Sequence, residues 1–226
     1  MRPLHACLPL IGLLALDDQV CLGQPHPPPI TKQALTLELG GVYRASGTNP
    51  DGSAYRGMVA LTQESDIVRL TWWIGEQVLH GNGRLAAKTL VVNWGDKDPV
   101  IYTLGDGGML NGVWADGSAT ETLVRIATPA SESRTLRLGN YKAEGRNPDG
   151  TRYSGTVTLA KRGDVYQLSW TVGSTSYEGN GTLKDNLLIV DWGSSTPVIY
   201  ALTEDGSFVG LWAAGRGEET LTPTGE

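Results

Sequence analysis

The sequence is poor in the residues that carry most protein chemistry, with two cysteines and three histidines in 226 residues. Both cysteines, Cys7 and Cys21, fall in the first 23 residues, so a chain trimmed there would hold no thiol for a disulfide or a metal. His80 is the one histidine beyond the N-terminal leader and spacer, and its repeat counterpart is Glu178. The usual zinc set and a His-based triad both lack their parts. Phenylalanine is nearly missing, with Phe208 alone against seven tryptophans and eight tyrosines, so the large side chains nearly all carry a polar handle. Lysine and arginine number 18 against 24 acids, a net charge of -6, and no basic footprint for nucleic acid is expected. No apolar run reaches the roughly 20 residues of a membrane-spanning helix, and none beyond the leader has helical periodicity.

What is present begins with Arg2 and an apolar run from Ala6 to Leu16, the layout of a secretory signal within residues 1–23. Export to a periplasm or to the outside of the cell is the expectation, with no stable transmembrane segment in the mature chain. Residues 24–34, beginning QPHPPPITKQ, read as a proline-rich spacer.

The segment from Gly41 to Leu123 aligns with Gly139 to Leu221 at a constant offset of 98 residues, without a gap and with 37 of 83 positions identical. Shared blocks include Asn49-Pro50-Asp51-Gly52, Gly81-Asn82-Gly83 and Pro99-Val100-Ile101-Tyr102. A period this long exceeds the ~20 to 50 residues of solenoid and propeller units, so a whole domain is duplicated. The expected divisions are residues 35–126, a short polar linker at 127–133, and 134–226.

Each copy shows a period of two, the strand signature. Val68, Leu70, Trp72 and Ile74 share one parity; so do Tyr55, Gly57, Val59 and Leu61; and so do Leu110, Gly112 and Trp114. Turn signals such as NPDG and Asp116-Gly117 separate the runs, which number about eight per copy near 42–48, 55–63, 67–74, 77–85, 89–94, 99–104, 109–115 and 120–126. The predicted fold is all-β: two tandem eight-stranded antiparallel up-and-down β-barrels, since closing a meander removes its unpaired edges. Two-sheet β-sandwiches are the alternative.

The first-strand tyrosine, the NPDG turn, YxGxVxL, LxW, GNG, WG, PVIY and the terminal GxW together resemble a repeat in secreted proteobacterial proteins of mostly uncharacterised function, some automatically named fibronectin-binding protein. The resemblance covers both copies and implies an exported bacterial protein. In general shape each copy also looks like the avidin and lipocalin barrels, without a biotin site carried over residue by residue.

Candidate site residues fall on the inferred inner face. Tyr55, Trp72, Trp94, Tyr102 and Trp114 pair with Tyr153, Trp170, Trp192, Tyr200 and Trp212. They either line a pocket for a small apolar or sugar-like ligand or pack over the glycines that share their face; packing is favoured, because eight-stranded barrels are readily filled by side chains. Glu121 and Glu219 share the parity of Leu123 and Leu221 and so point inward, either as a ligand-binding carboxylate or, the favoured reading, bonded to a Trp, a Tyr or a base across the closure. Trp73, which is Thr171 in the second copy, sits on the outer parity; with Met58 and Ile67 it forms an apolar patch suited to docking the second barrel or an external partner. No catalytic residues, metal or cofactor are assigned. The first expectation is a non-catalytic interaction module engaging an envelope or extracellular partner. The second is a carrier of a small ligand in the barrel interiors, and a hydrolytic enzyme comes last.

Overall fold

In a computed structural model, described over residues 37–131 and 136–225, alternating side chains and tight turns give sixteen strands. The first eight are β1 Gly41–Thr48, β2 Ala54–Glu64, β3 Ile67–Ile74, β4 Gln77–Ala86, β5 Thr89–Asn93, β6 Val100–Leu104, β7 Leu110–Trp114 and β8 Ala119–Ala127. The second eight are β9 Gly139–Arg146, β10 Arg152–Arg162, β11 Val165–Val172, β12 Thr175–Lys184, β13 Leu187–Asp191, β14 Val198–Leu202, β15 Phe208–Trp212 and β16 Gly217–Pro223. Each set is an antiparallel meander whose last strand pairs with its first, β8 with β1 and β16 with β9, so both sheets are closed barrels and not sandwiches. The expected leader and spacer lie outside the described residues.

The inner parity read from the sequence is the buried one. Val59, Leu61, Val68, Leu70, Leu90, Val92 and Leu110 fill the first barrel, and their counterparts, Phe208 among them, fill the second. One end of each barrel is plugged. Leu39 is buried in the first, where Tyr43 Oη donates to its carbonyl at 2.8 Å; in the second Tyr141 Oη donates to the Arg137 carbonyl at 2.6 Å and the neighbouring Leu136 is buried. The opposite end, framed by the β1–β2, β3–β4, β5–β6 and β7–β8 turns, is open.

A third apolar cluster lies between the barrels. Val42, Met58, Ala60, Trp73 and Ala127, on the outside of the first barrel, pack with Leu187, Ile199, Ala201 and Leu211, on the outside of the second. Trp73 is only 7% exposed there. Of the two occupants expected for this patch, the chain's own second barrel covers it rather than an external partner, and Ile67 takes no part in the cluster. Arg44 fixes the edge: its guanidinium donates to the Gly215 carbonyl at 2.7 Å and pairs with Glu218 at 2.5 Å. The linker is docked as well. Ala130 N donates to Leu202 O at 2.7 Å, and Asn186 Nδ2 donates to Ala130 O at 2.9 Å.

The two barrels meet through different faces. Ile189, Ile199 and Leu211 correspond to Val91, Ile101 and Val113, which in the first barrel are 43%, 41% and 45% exposed. Conversely, Val42, Met58, Ala60 and Trp73 correspond to Asn140, Thr156, Thr158 and Thr171. A head-to-tail contact of this kind propagates unless the next face is unsuited to it. In the second barrel that face is polar and unsuited to repeat the contact.

Candidate functional site

Glu121 is the centre of the first barrel's open end. It stands on β8 opposite two glycines, Gly47 on β1 and Gly112 on β7, and each glycine faces a tyrosine on the strand beyond, Tyr55 on β2 and Tyr102 on β6. The resulting row is Tyr55, Gly47, Glu121, Gly112, Tyr102, running across five neighbouring strands. A Cβ at Gly112 would lie 2.6 Å from the Tyr102 ring, and one at Gly47 would lie 2.4 Å from the Tyr55 ring. With no Cβ in the way, both rings lie flat over the intervening strand and reach the carboxylate. Tyr55 Oη donates to Glu121 Oε1 at 3.1 Å, and Tyr102 Oη makes a short bond to Oε2. Trp72, crossing from β3 over Gly81, donates its indole N–H to the same Oε2 at 3.1 Å.

The second barrel repeats the row as Tyr153, Gly145, Glu219, Gly210, Tyr200. Tyr153 Oη donates to Glu219 at 2.9 Å, Trp170 Nε1 at 3.0 Å, and Tyr200 through a short bond. Of the two expectations for these glutamates, bonding to Trp and Tyr describes the geometry; no basic side chain takes part.

Burial raises the carboxyl pKa of Glu121 and of Glu219, while the Tyr and Trp donors pull each partly back. Tyr102 and Tyr200 are pushed well above the ordinary phenol range, first by burial and then by the adjacent carboxylate; Tyr55 and Tyr153 shift the same way. The phenols therefore remain neutral donors, and any charge in the row resides on the glutamate.

Above the row each barrel opens into a cavity. The first, 150 Å³, is lined by Tyr55, Trp72, Trp94, Trp114 and Glu121 together with Asn49, Ile74, Gln77, Leu79 and Val100. The second, 370 Å³, is lined by Tyr153, Trp170, Trp192, Trp212 and Glu219 together with residues that include Asn147, Val172, Thr175 and Tyr177. Tyr102 and Tyr200 lie beneath the cavities, buried, and line neither. Each interior is thus filled in its lower half and hollow above.

Trp94 and Trp192 also hold the cavity wall, because each indole N–H donates to a carbonyl of its own β5–β6-type turn, Asp98 O and Thr196 O, both at 3.0 Å. Trp94 stacks edge-on with Trp114 at 5.6 Å between centroids, and Trp192 with Trp212 at 6.0 Å. The two mouths differ at one wall: Trp212 lies on Gly217, where a Cβ would come within 2.3 Å of the indole, whereas the first barrel has Ala119 at that position. Among the described residues the buried Trp212 N–H has no hydrogen-bond partner.

Sequence reasoning missed Gly47 and Gly145, whose role appears only once β1 lies between β2 and β8. It also missed the rim residues Asn49, Asn147, Gln77, Thr175 and Tyr177. The conserved spacing of the two NPDG blocks was the available signal for the asparagines, and the parity of Tyr177 with Gly179 and Gly181 was the signal for the tyrosine. His80 sits on the outside, bonded to Thr71 at 3.1 Å.

No family model matches the chain, and no curated protein matches it. Among solved structures, a protein of unknown function of the DUF3598 family from Nostoc punctiforme is similar over 82% of this chain and 96% of its own, at 16% identity and a TM-score of 0.28.

Proposed function

We propose that the protein is an exported, non-catalytic binding protein that takes one small apolar or sugar-like ligand in the mouth of each barrel. The observation that carries this reading is the occurrence, twice, of a tryptophan-walled cavity open to solvent over the same buried Tyr–Gly–Glu–Gly–Tyr row. Both cavities have apolar walls and a few convergent polar groups, the ordinary form of a ligand site; the second, at 370 Å³, is also of the usual size, and the first, at 150 Å³, is smaller. Each cavity presents a single carboxylate among its lining residues, placed to orient a bound molecule. Engagement of an envelope or extracellular protein is the second reading, and the covering of Trp73 removes its main surface.

Tryptophan fluorescence titrated with uncharged aromatic and sugar-like ligands tests the proposal. Saturable quenching is expected, reduced in Trp114→Leu and again in Trp212→Leu proteins that remain folded by near-UV circular dichroism. A flat response over the whole panel would sink the reading.

A further inference from the structure

The two mouths share a floor and differ in their rims. The turns framing the first mouth, residues 49–53, 75–76, 94–99 and 115–118, carry Asp51, Glu76, Asp96, Asp98 and Asp116 against Lys97, with Arg56 just below the rim on β2. The corresponding turns of the second barrel, residues 147–151, 173–174, 192–197 and 213–216, carry one acid, Asp149, and one base, Arg216. Below the acidic rim, Glu121 is 3% exposed, bonded to neutral donors, and no lysine or arginine lines the cavity.

The Glu121 carboxyl is held by three neutral donors beneath aromatic rings, and no cation stands among the residues that line the cavity. Aromatic faces carry the negative lobe of their quadrupole and attract cations, most strongly where water is excluded. When ionised, the Glu121 carboxyl adds a negative charge in a medium that screens it little. An acidic rim concentrates cations at the entrance and repels carboxylates and phosphates. The volume of 150 Å³ suits a headgroup with a few carbons.

We infer that the mouth of the first barrel is a site for a small organic cation, an alkylated ammonium headgroup seated against Trp94 and Trp114 above Glu121. This rests on the reading of the mouths as ligand sites and deepens it for one of them. The second mouth, larger and with a balanced rim, lacks the steering component of that selectivity.

The test compares choline with dimethylbutanol, its neutral carbon isostere, on the full chain by tryptophan fluorescence and calorimetry. Choline is expected to bind about tenfold more tightly than the isostere, and added salt should narrow the gap. The combined variant Glu76→Gln, Asp96→Asn, Asp116→Asn alters exposed turn residues, keeps the fold, and should narrow it too. Asp149→Asn, in the other rim, should leave it unchanged. Glu121→Gln, if folded, should abolish it. Equal binding of choline and its isostere overturns the inference and leaves the binding function standing. A choline preference lost in Asp149→Asn but kept in the rim variant overturns the assignment to the first barrel. Silence toward choline with a response to uncharged ligands overturns the inference alone, and silence toward every ligand overturns the binding function with it.

Discussion

Tyr102 reaches Glu121 across the face of Gly112, and the three residues occupy one hydrogen-bonded row on β6, β8 and β7. The glycine leaves the ring room to lie flat, the ring fills the space left by the absent side chain, and the phenol hydroxyl supplies the donor that a buried carboxylate requires. Tyr200, Gly210 and Glu219 repeat the relationship in the second barrel.

Removing that donor should be costly. Tyr102→Phe leaves Glu121 short of one hydrogen bond to a charged group, an expected loss of about 1.5 to 3 kcal/mol in denaturant unfolding. Gly112→Ala places a methyl against the ring and should cost about 1 to 3 kcal/mol by overpacking. Wild-type stability in both variants would show that the row is not a structural unit.

The pH dependence has a defined sign. Because burial holds the carboxyls of Glu121 and Glu219 above their unfolded value, the native chain binds more protons than the unfolded chain between the unfolded and folded pKa. The contribution of these two groups to stability is therefore fully present below the ordinary glutamate range and is lost as pH rises through their folded values. Asp51, Asp149 and Asp205, lowered first by side-chain hydrogen bonds, act oppositely, and their contribution is lost as pH falls. Carboxyl NMR of the folded chain should find two glutamates titrating above the rest. Their absence, or a thermal midpoint that rises steadily from the glutamate range to neutral pH, would contradict the burial described above.

The docking of the barrels depends on Trp73. Trp73→Thr installs the residue that the second barrel carries at the same position, and it should remove about 3 kcal/mol from the interface. Solution scattering should report an increased radius of gyration, and calorimetry two unfolding transitions in place of one. A variant that scatters and melts as the parent does would show that Arg44, Glu218 and the docked linker hold the barrels without it.

Much of the fold was legible because a strand's side chains alternate, so the parity of Leu70, Trp72 and Ile74 identifies the inward face before any strand is paired. The repeat supplied a second, independent copy of the pattern. The first barrel's half of the interface was legible as the outer apolar patch of Trp73 and Met58, but the second barrel's half was not. Val91 and Ile189 occupy equivalent positions on the same parity, and nothing local distinguishes the exposed one from its half-buried counterpart. The site lay between these cases: parity pointed Glu121 and the tryptophans inward, while the tyrosine-over-glycine crossings needed the strand register.

The sequence by itself determined two duplicated eight-stranded units and the inward set of Trp, Tyr and Glu, because alternation and turn chemistry are properties of neighbouring residues. Tertiary structure decided that each barrel is solid below and hollow above. That outcome depends on which ring lies over which glycine, a matter of register and closure between strands distant in the chain. It also decided that Trp73 faces the molecule's own second barrel, since the burial of an outer-face residue is fixed by what packs against it.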